Sequence, residues 1–220
     1  MITDEQLARL LSLISHEIRA PVGVMRGYLR LLEQQAGLTD PQRNAVAAGL
    51  RAGDRAEEIL GQISALARLE RGEGQPSLKP VPVGPLLNAV AASVPLPADP
   101  VVTVHVADTP EVSVLGDESM MRTALRGVAT AVVRAQAADG KVYLLAQADQ
   151  EGPGGGLKIT VTTMEPVTDA RVERTLDMSR GGLGLDLALA AFIIEAHNGR
   201  VLERRAETRL TAMVVWLPLA

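Results

Sequence analysis

The 220-residue chain contains no cysteine, which excludes disulfide staples and thiolate metal sites. Aromatic residues make up only 2% against 47% hydrophobic residues, so any core has to be assembled from Leu, Val, Ile and Ala. Ala-rich packing of this kind lets helices approach closely. No run reaches the roughly 18 to 20 consecutive apolar residues of a membrane span, and the N-terminus lacks the basic-then-apolar layout of a signal peptide. The cytoplasm is the expected location. A dense basic stripe is missing too, and a net charge of −4 does not suit a chain that must neutralise the phosphates of a nucleic acid.

What is present divides into two styles of sequence. Thr3-Asp4-Glu5-Gln6 has the form of a capping box, and behind it Leu7, Leu11, Ile14, Ile18, Pro21, Met25, Tyr28 and Leu32 recur at alternating spacings of four and three. That pattern predicts a bundle-type helix from about residue 4 to about 35. Gly37 supplies a stop, and Thr39-Asp40-Pro41-Gln42 starts a second helix that runs to about residue 71. Two long helices joined by a short loop form an antiparallel hairpin that cannot bury both apolar faces alone. A second copy is the simplest cover, giving a four-helix dimer.

Arg71-Gly72-Glu73-Gly74-Gln75-Pro76 is a polar break, and it sets expected domains at 1–74 and 75–220. Beyond it the sequence predicts helices over 86–94, 118–135 and from the Gly181-Gly182-Leu183-Gly184 turn to about 196. Alternating stretches over 102–106, 111–114, 141–148, 157–163, 200–205 and 210–217 predict strands. The expected fold class is α+β, a helical hairpin followed by a two-layer sandwich of helices on a largely antiparallel sheet.

One stretch stands out within the first helix: Ser15-His16-Glu17-Ile18-Arg19-Ala20-Pro21-Val22. His16 lies two residues past a seam position, so its imidazole is expected to face solvent as a nucleophile. Glu17 is placed to accept or orient the second ring proton. Pro21 removes the hydrogen bond to the Glu17 carbonyl and clashes with it, at a cost of about 3 kcal/mol, which predicts a kink beside the histidine. This octet closely resembles the phospho-acceptor box of bacterial sensor histidine kinases. The resemblance implies that His16 carries a phosphoryl group, that the hairpin is a dimerisation and phosphotransfer domain, and that the partners are response-regulator receiver domains. An upstream hybrid kinase is a further candidate partner. Arg19, Arg26 and Arg30, on the same helix, are candidates for meeting an acidic partner surface; the plainer reading is a solvated face. Ala20 stands where kinases that also dephosphorylate their partner carry Thr or Asn, so phosphatase activity by that route is not expected.

Residues 76–220 resemble the ATP-binding domain of the same kinases through Gly116-Asp117-Glu118, Gly182-Leu183-Gly184-Leu185 and Glu195-Ala196-His197-Asn198-Gly199-Arg200. The departures are pointed. Where the resemblance implies asparagines for Mg²⁺ and phosphate stand Gly127 and Ala131, neither of which offers a hard oxygen. Where it implies an adenine-binding aspartate and close-approach glycines stand Thr163, Glu165 and Val167. Gly182 and Gly184 survive, either as an anion-binding turn or simply as a tight turn, and Asp186 brings a carboxylate into the helix's first turn against any phosphate. ATP binding is therefore expected to be lost, with no cofactor held by this chain and Mg²⁺ supplied by the partner receiver. His105 reads as a structural strand residue and His197 as a cationic helix cap.

These readings combine into a dimeric histidine phosphotransferase that passes a phosphoryl group between His16 and receiver aspartates. Two alternatives stay open: an active sensor-kinase core with a divergent ATP site, and a non-catalytic scaffold for signalling partners. Without sensor and membrane segments, the chain is expected to be either trimmed or served by a signal from another chain.

Overall fold

The computed structural model describes residues 4–107, 109–136, 138–149, 155–163, 174–175, 184–206 and 209–220. The chain divides into two compact units, Met1–Gly74 and Gln75–Ala220.

The first unit is a hairpin of α1 (Asp4–Glu33) and α2 (Asp40–Glu70). The start of α2 is closed by a reciprocal cap: the Thr39 side chain accepts from the Gln42 amide, and the Gln42 side chain accepts from the Thr39 amide at 2.9 Å. Gly37 supplies the positive φ of +93° that turns the chain between the helices. Along α1, Ala8 and Ser15 are buried while Leu11, Ser12, Val22, Arg26 and Leu29 are half-buried. The predicted seam is largely another face: Leu7, Ile14, Ile18, Met25, Tyr28 and Leu32 all lie exposed in the single chain, Tyr28 at 67%. A seam of that spacing is present, but α2 is not what covers it.

The second unit contains β1 (Lys79–Pro82), α3 (Val83–Ser93), β2 (Val102–Val106), β3 (Ser113–Gly116), α4 (Glu118–Arg134), β4 (Gly140–Asp149), β5 (Gly156–Thr162), β6 (Arg174–Thr175), α5 (Gly184–Ala196), β7 (Arg200–Ala206) and β8 (Arg209–Pro218). A six-stranded sheet runs β2-β4-β5-β8-β7-β6, with β1 and β3 forming a separate antiparallel pair. Among the described residues of the large sheet, β2 and β4 pair in parallel and the other neighbours pair antiparallel. Strand alternation puts Val142, Leu144, Leu157, Ile159, Val161, Met213, Val215 and Leu217 on one side, all fully buried. The buried residues Met121, Leu125, Val128 and Val132 of α4 and Leu187, Ala190 and Ile194 of α5 supply the helical layer of the core. Each such large side chain contributes about 1.5–3 kcal/mol by leaving water.

Beyond the end of α5, Asn198 takes a left-handed φ of 56° and the Gly199 amide donates back to the Ile194 carbonyl at 2.9 Å. Gly199 has no alternative there, because a Cβ would lie 2.5 Å from the Trp216 carbonyl oxygen. The expected class, a helical hairpin followed by a two-layer α+β unit, is the fold observed. Locally, α3 begins at Val83 rather than at Leu86, β3 begins at Ser113 rather than at Glu111, and β1 has no counterpart in the expected strands.

Candidate functional site

On α1, burial of Ser15 fixes which way the helix is turned. Its side chain is fully enclosed and its Oγ has no hydrogen-bond partner. Successive residues of a helix are about 100° apart, so His16 emerges on the open side, exposed, with Glu17 exposed beside it. Among the described residues no hydrogen bond joins the two. The helix continues without a break through Pro21, which is itself exposed.

The three arginines are placed differently from one another. Arg19 donates to the Ser64 hydroxyl of α2 at 3.3 Å, and Ser64 in turn donates to the Leu60 carbonyl. Arg30 is exposed in the last turn of α1. Arg26 is not available to a partner in the expected way: it is committed inside the hairpin, bonded to Asp54 and to Glu57 of α2, with only 14% of its side chain exposed. Glu57 foremost, and then Asp54, raise the guanidinium's already high pKa and keep it charged. The physical reason is Gly53, where a Cβ would come within 2.5 Å of the Arg26 Cγ, so that the bare α2 backbone is what admits the arginine stem. Sequence reasoning missed Gly53, Asp54 and Glu57; a glycine in the middle of a long helix, followed by carboxylates, is the signal that was there to find.

In the second unit, Gly127 is buried on α4 and faces the start of α5. A Cβ at Gly127 would lie 2.6 Å from the Asp186 carbonyl oxygen and 3.2 Å from its carbon. Ala131 is half-buried one turn later, and Arg134 at the end of α4 pairs with the Asp186 carboxylate at 3.0 Å. Arg134 was not anticipated as that partner. Thr163 follows the end of β5 and is half-buried, and Gly184 is the first residue of α5. Glu165, Val167 and Gly182 lie outside the described residues. The first position at which the resemblance implies a metal-binding asparagine is thus occupied by a helix–helix contact, and among the described residues neither Gly127 nor Ala131 offers magnesium a side-chain oxygen.

At the other end of the same helix pair, Asp117 caps α4 by accepting from the Ser119 and Met120 amides at 3.1 Å each, and from Ser77 at 3.3 Å. These bonds, that of Met120 foremost, hold its carboxyl below the usual range. His197 is fully buried. Its Nε2 accepts from the Asp117 amide at 3.0 Å and its Nδ1 donates to the Ile193 carbonyl at 2.7 Å. The Ile193 bond is the helix-end cap that the sequence led one to expect, and the Asp117 bond adds a cross-tie between α5 and α4. His105 is exposed on β2, with its Nε2 2.9 Å from Thr103 Oγ1 and its ring tilted against Tyr143. An open cavity of about 380 Å³ beside the start of α4 is lined by Lys79 and Arg122 but equally by Asp117 and Glu118, so its charges cancel.

Residues 6–72 match the family described as His Kinase A (phospho-acceptor) domain. Over 200 residues the chain is 26% identical to the sensor-like histidine kinase SenX3 of Mycolicibacterium smegmatis, covering 86% of this chain and 51% of that protein. It is 25% identical over 197 residues to the phosphate regulon sensor protein PhoR of Pseudomonas aeruginosa, covering 86% and 44%. The crystal structure of full-length ShkA, solved in complex with AMPPNP, superposes with a TM-score of 0.70 at 26% identity, covering 96% of this chain and 46% of that one. The chain therefore spans about half the length of the relatives it matches. With the octet inside the segment that matches the His Kinase A model and the sandwich unit behind it, the chain has the form of a bacterial sensor-histidine-kinase core.

Proposed function

We propose that His16 is the phospho-acceptor of a two-component core that works as a homodimer. The observation that carries this reading is the exposed imidazole on an unbroken helix, within the octet and inside the matched domain. A ring nitrogen attacks phosphorus, an N–P bond forms, and the P–O bond to the donor's leaving oxygen breaks. Glu17 assists by orienting the ring once the partner is in place. Pro21 removes the hydrogen bond to the Glu17 carbonyl and so lets α1 give way when the partner docks, while Arg19 and Arg30 face the partner's acidic pocket. The uncovered line of Leu7, Ile14, Ile18, Met25, Tyr28 and Leu32 is the surface on which a second copy closes the bundle.

The relatives, sensor kinases by name, favour an ATP-fed kinase core as the account of the whole chain. One specific observation favours a second reading, a histidine phosphotransferase: α5 is seated on Gly127, where a metal-binding side chain would stand, and on this reading the phosphoryl group comes from a receiver aspartate, with Mg²⁺ held by the receiver. Incubating the protein with labelled ATP, and separately with a labelled phospho-receiver, tests both. His16→Ala is expected to abolish all labelling without loss of the dimer, and Glu17→Gln to slow it. Wild-type protein that binds a receiver tightly yet takes label from neither donor is a scaffold, and the proposal falls.

A further inference from the structure

We infer that the first turn of α5 is a built-in plug, seated on Gly127 and latched by the Arg134–Asp186 pair, which fills with the chain's own groups the place a magnesium-bound nucleotide would need between α4 and α5. This deepens the phosphotransferase reading and rests on it.

Three observations converge. The space that a side chain at position 127 would enter is filled by backbone, the Asp186 carbonyl oxygen standing 2.6 Å from where a Cβ would be. A flexible neighbour could swing away, but a carbonyl in the first turn of a helix moves only if the helix moves. No residue larger than glycine fits while α5 stays where it is, and an asparagine least of all. Next, the positive end of the α5 dipole, an ordinary attraction for phosphate, already has an anion beside it. The Asp186 carboxylate sits in that turn with 10% of its side chain exposed, bonded to Arg134 at 3.0 Å. A phosphate arriving there would meet a carboxylate whose cation is already engaged. Last, α5 is not free to pivot away, because at its far end His197 accepts the Asp117 amide at the start of α4. The helix is fastened to α4 near both ends, and Gly127 lies in the contact between them, against Asp186 and Ala190.

The small residues of α4 are thereby accounted for by what they admit, the close approach of a second helix, and the missing metal ligands follow from that approach. The plug fixes α5 against α4, so that nucleotide cannot move one helix on the other.

The test uses the full chain. Wild-type protein is melted with and without Mg·ATP in millimolar excess, and binding is followed separately by calorimetry. Gly127→Ala, Gly127→Asn and Asp186→Asn are melted alongside. Wild type is expected to melt at one temperature in both conditions and to give no binding heat. Gly127→Ala and Gly127→Asn should each melt lower by about 3 to 10 °C, Gly127→Asn should still bind no nucleotide, and Asp186→Asn should lower the midpoint less. A rise in the wild-type midpoint with Mg·ATP overturns the plug, as does a Gly127→Ala protein that melts with wild type. Labelling of His16 from a phospho-receiver, measured on the same samples, separates the two ideas. If Mg·ATP stabilises the protein while a receiver labels His16, the plug fails and transfer stands. If Mg·ATP does nothing and no receiver labels His16, the plug stands and transfer fails.

Discussion

At Gly53 the α2 backbone is bare so that the Arg26 stem can lie across it and reach Asp54 and Glu57; at Gly127 the α4 backbone is bare so that another stretch of backbone, the Asp186 carbonyl, can settle on it. The first contact joins a hairpin whose α1 still presents a long apolar face to water. The second joins two helices that are roofed by their own sheet and tied near both ends. A side chain on a glycine leaves a joint that can be remade by a rotamer change, whereas a backbone on a glycine leaves one that cannot. His16 stands on a helix held by the adjustable joint, and Gly127 stands at the fixed one.

That contrast can be broken or sharpened by substitution. The largest effect is expected from His197→Ala, which leaves the Asp117 amide and the Ile193 carbonyl without their partner and opens a void beside Gly116. A loss of about 3 kcal/mol should appear in chemical denaturation of unit 2. A change of only a few tenths would mean that the fixed joint is not fixed. At the adjustable joint the measurement is a double-mutant cycle. Gly53→Ala gains about 1 kcal/mol of helix propensity, which should be seen in full once Arg26 has been cut back to Ala. With Arg26 present the gain should vanish, because the methyl takes the arginine's seat. The smallest effect concerns Asp117. Its folded pKa lies below its unfolded one, so the stability it adds is present above the unfolded value, about 3.9, and is lost as pH falls through the folded value. Asp117→Asn keeps a capping oxygen, and its stability curve should be flatter than wild type over that acid range.

Much of the fold was legible because its signals are local. The apolar spacing of α1, the Thr39 box and the alternation of β4, β5 and β8 each lie within one element. Strand β1 was not, because Lys79-Pro80-Val81-Pro82 carries two prolines and reads as a break; it survives as part of a two-stranded ribbon that makes few demands on its amides. The pairing of β2 alongside β4 in parallel depends on a partner reached only after α4. At the acceptor, exposure of His16 could be read from helix phase alone. For the arginines, phase could not say that Arg26 would find carboxylates on the other helix. Gly127 and Ala131 were read as ligands lost, since the backbone that fills the space arrives from far along the chain. The cap that His197 makes on the end of α5 was legible, but its cross-tie was not, for the same reason: the Asp117 amide is a long-range neighbour that no local pattern announces.

The two ties between α4 and α5 sit at opposite corners of the pair, one joining the end of α4 to the start of α5, the other the start of α4 to the end of α5. A helix held at one corner frays from the other and releases its amides in order. Held at both, the pair has no loose end from which to unzip, so its hydrogen bonds open together or not at all, as one cooperative unit.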